Sequence, residues 1–431
     1  MSSHPVTVDA TPTTLTPRGL PSASQWRRDP VAVPVLLVAA AIVGGGAQEF
    51  TFGERTIGVN TAQIAVLLIA VLAVVRVVDT RRFRFDALTG AFAVLIALPV
   101  LQALRDGSTI LDVGGAGRFV TVALLLLAMP QFARTDAETA ALAQPDADQH
   151  AWDVAVVGMG VALGTWTLVK VVPTLNDQLG FYELKDAVSL PLGNHNYVAA
   201  MLVSALAITL IRRPGRDWLG LAVAVITLGL AVTLSRGGWL SAVAILAVLA
   251  VVRRDRGTAR IALVLGVLMA VLLGVVVVAG GSSDRLTALF SPATSSRIEL
   301  WAASWDAFLE QPLLGVGITR FPEYMTEVRQ PYQHAHSMVL ESLAATGIVG
   351  AIAYLGYWAA IARRVLTLAD RRLRLVIGLP LLGLFLHAQV DTLNYLLVYE
   401  VVVATLVGVA ATQPDARFVR VWGRPVGAPG Q

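Results

Sequence analysis

Twelve mostly apolar stretches recur along this chain, most of them near the roughly 20 residues that an α-helix needs to cross a hydrocarbon core. They are Val31–Ala47, Ile57–Val78, Asp86–Leu104, Gly115–Phe132, Trp152–Val172, Tyr197–Ile211, Asp217–Leu234, Trp239–Val252, Ile261–Gly280, Ser337–Ala362, Leu375–His387 and Tyr395–Ala411. Three are short, so ten or eleven spans also fit the pattern. Inside lipid the backbone must satisfy its own hydrogen bonds, which a helix does within one segment. The fold expected is therefore all-α: a polytopic integral membrane protein with about 12 transmembrane helices. Composition agrees, because only 14% of the residues are charged and 56% are hydrophobic, whereas soluble domains carry about 25% charged residues.

The arginines give an orientation. If Arg27 and Arg28 lie inside, alternate loops should be basic. They are, at Arg76 to Arg84, Arg212 to Arg216, Arg253 to Arg260, Arg363 to Arg374 and Arg417 to Arg424, with Pro130–His150 the one weak inner loop. Both termini are expected in the cytoplasm. The net charge of +4 thus reflects topology and not a nucleic-acid partner, since the basic residues sit in short clusters between apolar runs. No cysteine is present, so disulfides and thiolate metal sites are excluded. Five segments follow: 1–29, a disordered cytoplasmic tail rich in Ser, Thr and Pro; 30–281, nine spans; 282–336, a long extracytoplasmic loop; 337–411, three spans; and 412–431, a cytoplasmic tail.

The outer loops hold the residues suited to chemistry. Arg236, in LSRGGW, stands outside against the topogenic preference. It is either a solvated charge in a tight turn or an anion contact whose Gly237 and Gly238 let the backbone approach a ligand. Gly193, Asn194, His195 and Asn196 lie at the mouth of a span, where amides can hydrogen-bond a sugar or simply start a helix. In the long loop, Trp301, Trp305, Phe308 and Leu309 fall at helical spacing over Ile298–Glu310, which predicts an amphipathic helix lying at headgroup level. Ser295 or Ser296 would cap it and Arg297 would sit in its first turn. That position disfavours a cation unless an anionic ligand shares it.

His334 and His336 precede the next span. Two histidines without a third ligand nearby make a poor metal site. A histidine at a span mouth can act as a general base, having a pKa near neutrality, or be a plain interfacial side chain. Glu341 would not share a helical face with His336, so no orienting role is expected of it. Asp391 is external and either contacts acceptor sugar or is an ordinary loop carboxylate. Arg118, near the outer end of the fourth span, either snorkels outward or reaches an anionic substrate.

The order of these features resembles the O-antigen ligase and polymerase family of bacterial envelope enzymes. The resemblance rests on LSRGGW, on SSRIELWAASWDAFLEQPLLGVG, on HAHSMVLESLAATGIVG and on GNHNYVAAML, and it covers about a third of the chain, Gly193 to Gly350. It implies a membrane fold like the GT-C glycosyltransferases, with Arg236, Arg297 and His336 at the family's functional positions. It also implies transfer of a glycan from a polyprenyl (undecaprenyl) diphosphate carrier to an acceptor hydroxyl on a glycan, lipid or protein, outside the cytoplasmic membrane. The reaction would be inverting, need no metal or cofactor, and serve cell-surface polysaccharide synthesis. His334, Asn194, Asn196, Arg118 and Asp391 would contact substrate. A polymerase of the same family is the first alternative. A solute transporter is the second, disfavoured because the candidate residues lie in outer loops and not at the bilayer midplane.

Overall fold

The computed structural model describes residues 29–45, 47–52, 55–105, 116–134, 151–174, 187–189, 191–211, 217–253, 263, 266–267, 293–318, 320–329, 332–391, 393, 397–413 and 419–422. Its helices are α1 (Ala32–Gly44), α2 (Thr61–Thr80), α3 (Ala87–Arg105), α4 (Ala116–Ala128), α5 (Ala151–Thr174), α6 (His195–Ile211), α7 (Asp217–Val232), α8 (Arg236–Arg253), α9 (Ala293–Glu310), α10 (Phe321–Arg329), α11 (Met338–Leu366), α12 (Arg371–Ala388) and α13 (Leu397–Ala411). Eleven of the twelve expected apolar stretches overlap described helices, although the first four residues of Ile57–Val78 lie in a strand and not in its helix. The ninth, Ile261–Gly280, lies mostly outside the described residues, as do the expected tail up to Arg28 and residues 282–292 of the long loop.

Among the described residues, four helices, Thr61–Thr80, Trp152–Val171, Arg236–Arg253 and Met338–Leu366, are long and apolar enough to cross a membrane, and several shorter ones are apolar. On α2 the side chains of Leu67, Leu68, Val71, Val74, Val75 and Val78 are exposed. In water such a face would be costly, whereas in lipid it is the expected surface. The chain is a multi-pass membrane protein.

Two helices form the bundle's centre. From Val198 to Ile211, α6 is buried on every side, and α13 is buried at every position except Glu400. A helix apolar all round has no solvent face and belongs in the middle. Around α6 pack α5, α7, α8 and α12, while α4 and α12 flank α13. Polar side chains inside these helices satisfy themselves locally: Ser204 donates to the Ala200 carbonyl at 3.0 Å, Thr209 to Ala205 at 2.7 Å and Thr405 to Val401 at 2.6 Å.

Among the described residues, two short antiparallel sheets depart from the all-helical expectation. Strands β1 (Ala47–Phe52) and β2 (Arg55–Asn60) form a hairpin, and β3 (Phe83–Asp86) pairs with the distant β4 (Val419–Trp422). Asn60 then starts α2 through a reciprocal cap with Gln63. The β3–β4 sheet clasps the arginine-rich end of the bundle, where Phe83 stacks on Trp422 with ring centroids 6.1 Å apart. Beneath it Asp86 pairs with Arg364 of α11, both side chains almost completely buried, and Asp86 also accepts the Leu88 N–H at 3.0 Å. Breaking a buried pair strands a charge, at a cost of about 3–5 kcal/mol. Arg364→Ala is therefore expected to lower the melting temperature in detergent sharply. A melting point equal to wild type would refute that role for the pair.

Candidate active site

The residues singled out around α11 come together at the end of the bundle opposite that clasp. Ser337, the N-cap of α11, has extended backbone (φ −157°, ψ 118°), and His336 just before it adopts φ +51°. Left-handed backbone is uncommon outside glycine and costs a histidine energy that its surroundings must offset. Here it delivers the imidazole to the loop that follows α12. His336 Nδ1 lies 3.0 Å from Asp391 Oδ1, and the Tyr332 ring meets the imidazole edge-on with centroids 6.1 Å apart. The second oxygen, Asp391 Oδ2, lies 3.7 Å from Arg297 Nη2. One carboxylate thus bridges the histidine and an arginine of α9.

Asp391 is 4% exposed. Burial pushes its carboxyl pKa upward, but the hydrogen bond and charge of His336, with His387 and Arg297, more than reverse this and hold it at about 2. An ionised carboxylate can only accept, so Nδ1 of His336 carries the proton and Nε2 is the basic nitrogen. His334 forms a second pair: its Nδ1 lies 3.2 Å from Glu341 Oε1, and the Ala335 N–H donates to Glu341 Oε2 at 3.2 Å. Glu341 therefore braces the His334 side chain and the Ala335 backbone, a role that sequence spacing did not suggest.

A clamp fixes Arg297 relative to His336. Helix α11 breaks at Gly347 (φ 66°, ψ −167°), and the Pro312–Gly317 segment after α9 threads into the break. The Val316 and Gly317 N–H groups donate to the Ala344 and Ala345 carbonyls at 2.9 and 3.0 Å, and the Ile348 N–H donates back to Pro312 at 2.8 Å. The Gln102 side-chain amide of α3 donates to the carbonyls of Leu314 and Ala345. A small core of Leu300, Ala303, Ala307, Phe321, Met325 and Ala344 seals the joint. Burying a side chain of the size of Phe321 or Met325 stabilises by about 1.5–3 kcal/mol.

Helix α9 begins at Ala293, earlier than Ile298. Ser295 and Ser296 consequently lie within it and are not its cap, and Arg297 stands beyond the first turn. The helix buries its small-residue face and leaves Trp305 and Leu309 exposed, with the Trp305 and Phe308 rings 5.1 Å apart.

Arg236 begins α8 and is half-buried. The glycines after it serve the protein and not a ligand. A Cβ on Gly237 would meet His387 Nε2 at 2.8 Å and Val390 Cγ2 at 3.0 Å, and one on Gly238 would meet Ala199 Cβ at 2.8 Å. Of the two readings open for this turn, the packing goes against the one in which the glycines open the backbone to a ligand. Asn194 caps α6: its Oδ1 accepts the Asn196 N–H at 2.8 Å, and its carbonyl accepts Tyr197 N–H at 3.1 Å. Asn196 is buried in the same first turn, and Tyr197 lies in electrostatic reach of Asp391, Arg118 and Glu341.

Arg118 does not snorkel. Its Nε lies 3.2 Å from Glu400 Oε2, inside the bundle, beside a cavity of about 140 Å³ between α3, α4, α11 and α13. Glu341 lines one end of this cavity, while Tyr354 and Tyr357 line it further along α11.

Residues 221–355 match the family model described as O-antigen ligase. Over this stretch, about a third of the chain, the protein is similar to the O-antigen ligase family. No curated protein matches the chain. The matched stretch holds Arg236, Arg297, His334, His336 and Glu341, whereas Arg118, Asn194, Asn196, His387 and Asp391 lie outside it. Two partners were missed from sequence, Glu341 for His334 and Asp391 for His336. A separation of 55 residues between His336 and Asp391 leaves no local pattern to read.

Proposed function

We propose that this protein is a membrane glycan ligase, transferring an oligosaccharide or polysaccharide from a polyprenyl diphosphate carrier to an acceptor hydroxyl on the outer side of the cytoplasmic membrane. The observation that carries this reading is the His336–Asp391–Arg297 cluster, a histidine oriented by an ionised carboxylate beside a guanidinium. His336 Nε2 takes the acceptor proton as the acceptor oxygen attacks the anomeric carbon. The bond from that carbon to the diphosphate oxygen breaks, and its electron pair leaves with the diphosphate. Attack opposite the leaving group inverts the configuration.

Arg236 and Arg297 then face a group that gains negative charge in the transition state, where guanidiniums act most strongly. Arg297 rests against Asp391 at 3.7 Å, and an arriving diphosphate would draw it away from a contact longer than a good hydrogen bond. The charge is supplied by the side chains, so the scheme needs neither metal nor cofactor. The apolar wall of the cavity running along α11 from Glu341 suits part of an isoprenoid chain.

The orientation rests on the arginines. His336 precedes α11 and Arg363 and Arg364 end it, roughly 40 Å away for a helix of this length. If the basic end faces the cytoplasm, the site faces outward and both termini lie inside.

The deciding experiment is transfer by purified protein in liposomes, using lipid-linked oligosaccharide from the host. Donor consumption with a new glycan product, unaffected by EDTA and reduced at least about 10²-fold in Arg236→Ala and in Arg297→Ala, is the result expected. Product length separates single transfer from polymerisation. Folded wild-type protein that turns over no native donor would overturn the ligase reading.

A further inference from the structure

We propose that His387 is a positioning residue that sets where Arg236 stands relative to the Asp391–His336 pair, an assignment that rests on the ligase reading above. His387 is 0% exposed and lies in the last turn of α12, one helical turn before Asp391. Its Nε2 is 3.4 Å from Ser235 Oγ, and that same hydroxyl oxygen accepts the Gly238 N–H at 3.1 Å. On the other side of Arg236, the place where a Cβ of Gly237 would stand is filled by the ring, 2.5 Å from Cδ2 and 2.8 Å from Nε2. The residues directly before and after Arg236 therefore both lean on one imidazole.

That imidazole is an odd choice for mere filling. Its Nδ1 is buried without a hydrogen-bond partner among the described residues. An unpartnered buried polar group carries a penalty that a leucine of similar bulk would avoid. A flat ring does what leucine cannot: it admits the Gly237 backbone at close range while its edge reaches Ser235. The ring also lies in electrostatic reach of Asp391 and Arg297, so its surroundings are those of the cluster. Through it, the rigid end of α12 presents Asp391 on one side and holds the turn bearing Arg236 on the other. The two charges are placed by one element although Arg236 and Asp391 are far apart in sequence.

The test is a double-mutant cycle on kcat/KM for the lipid-linked donor, normalised to folded protein. Gly237→Ala drives a methyl group into the ring and is expected to lower kcat/KM about 10²-fold, the loss that a displacement of about 1 Å in a charged contact brings. His387→Ala is expected to cost about 10-fold, largely in donor KM, because the turn relaxes into vacated space. The double variant is expected to be more active than Gly237→Ala alone, since removing the ring makes room for the methyl, a coupling that independent sites do not show. His387→Gln, which keeps a polar edge towards Ser235, is expected to fall between His387→Ala and wild type. A ring that only filled space would lower the yield of folded protein and leave kcat/KM of the folded fraction unchanged; that result, or strictly additive losses in the cycle, overturns the assignment while an active wild type leaves the ligase reading standing. An inactive wild type overturns the ligase reading and this assignment with it.

Discussion

His336→Ala is expected to reduce glycan transfer about 10²–10⁴-fold, the range that removal of a general base covers. The side chain is partly exposed, so the variant should remain folded, and melting temperature in detergent is the control. Asp391→Asn is expected to lose at least about 10²-fold, because an amide no longer selects the tautomer that leaves Nε2 basic. It also leaves Arg297 beside a neutral group. Retention of wild-type turnover by either variant would remove that residue from the mechanism.

The low pKa of Asp391 also fixes what the rate profile should lack. The folded pKa of Asp391 is lowered from 3.8 to about 2. A depressed carboxyl contributes stability that is present above its unfolded value and lost as pH falls through the folded one. Between pH 5 and 9 Asp391 is thus ionised throughout and adds no limb to the rate profile. An acid limb near pH 4 that vanishes in Asp391→Asn would contradict this electrostatic picture.

Gly347→Ala is expected to be among the most damaging single-methyl changes at the described residues. With φ 66° and ψ −167°, Gly347 occupies backbone space that is essentially closed to other residues, at a cost of about 1–3 kcal/mol for an alanine. The new Cβ would also fall on the Leu313 carbonyl. The Ile348 and Val349 N–H bonds to Pro312 and Leu313 would be lost with it, each worth about 1 kcal/mol. The joint that holds α9 to α11 should open, and with it the placement of Arg297. Thermal unfolding read by intrinsic fluorescence should show a lower transition, and transfer should fall in the protein that remains folded. Gly356→Ala, in the same helix with nothing within 4 Å of the added carbon, is the control and should be neutral or slightly stabilising. Equal melting of the two variants would show that the break is not structurally required.

The helical framework was legible because apolar length is a strong signal, and described helices fall where the apolar stretches predict them. The strands were weaker signals: FRFD and VRVW alternate over only four residues, and each needs a partner hundreds of residues away. Candidate chemistry was legible in residue type but not in pairing. Arg297 and His336 stood out as charges in outer loops, and Asn194 carried both a binding and a capping reading, of which the structure displays the cap. Asp391 looked like any loop carboxylate because what distinguishes it is burial against two side chains from other segments. The glycines of LSRGGW suggested an open approach for ligand, whereas the space they leave is taken by His387 and Ala199.

The position of Asp391 beyond residue 355 has a consequence for heredity and for grafting. A recombinant that inherits 221–355 from one parent receives both arginines and the histidine, but takes the carboxylate behind that histidine from the other parent. On the ligase reading, such hybrids would differ in competence according to what their borrowed final helices place in that one loop. Selection on the proposed reaction would then act on two blocks of the gene at once, and a survey confined to the first block would score as equivalent chains that differ in the carboxylate beside His336.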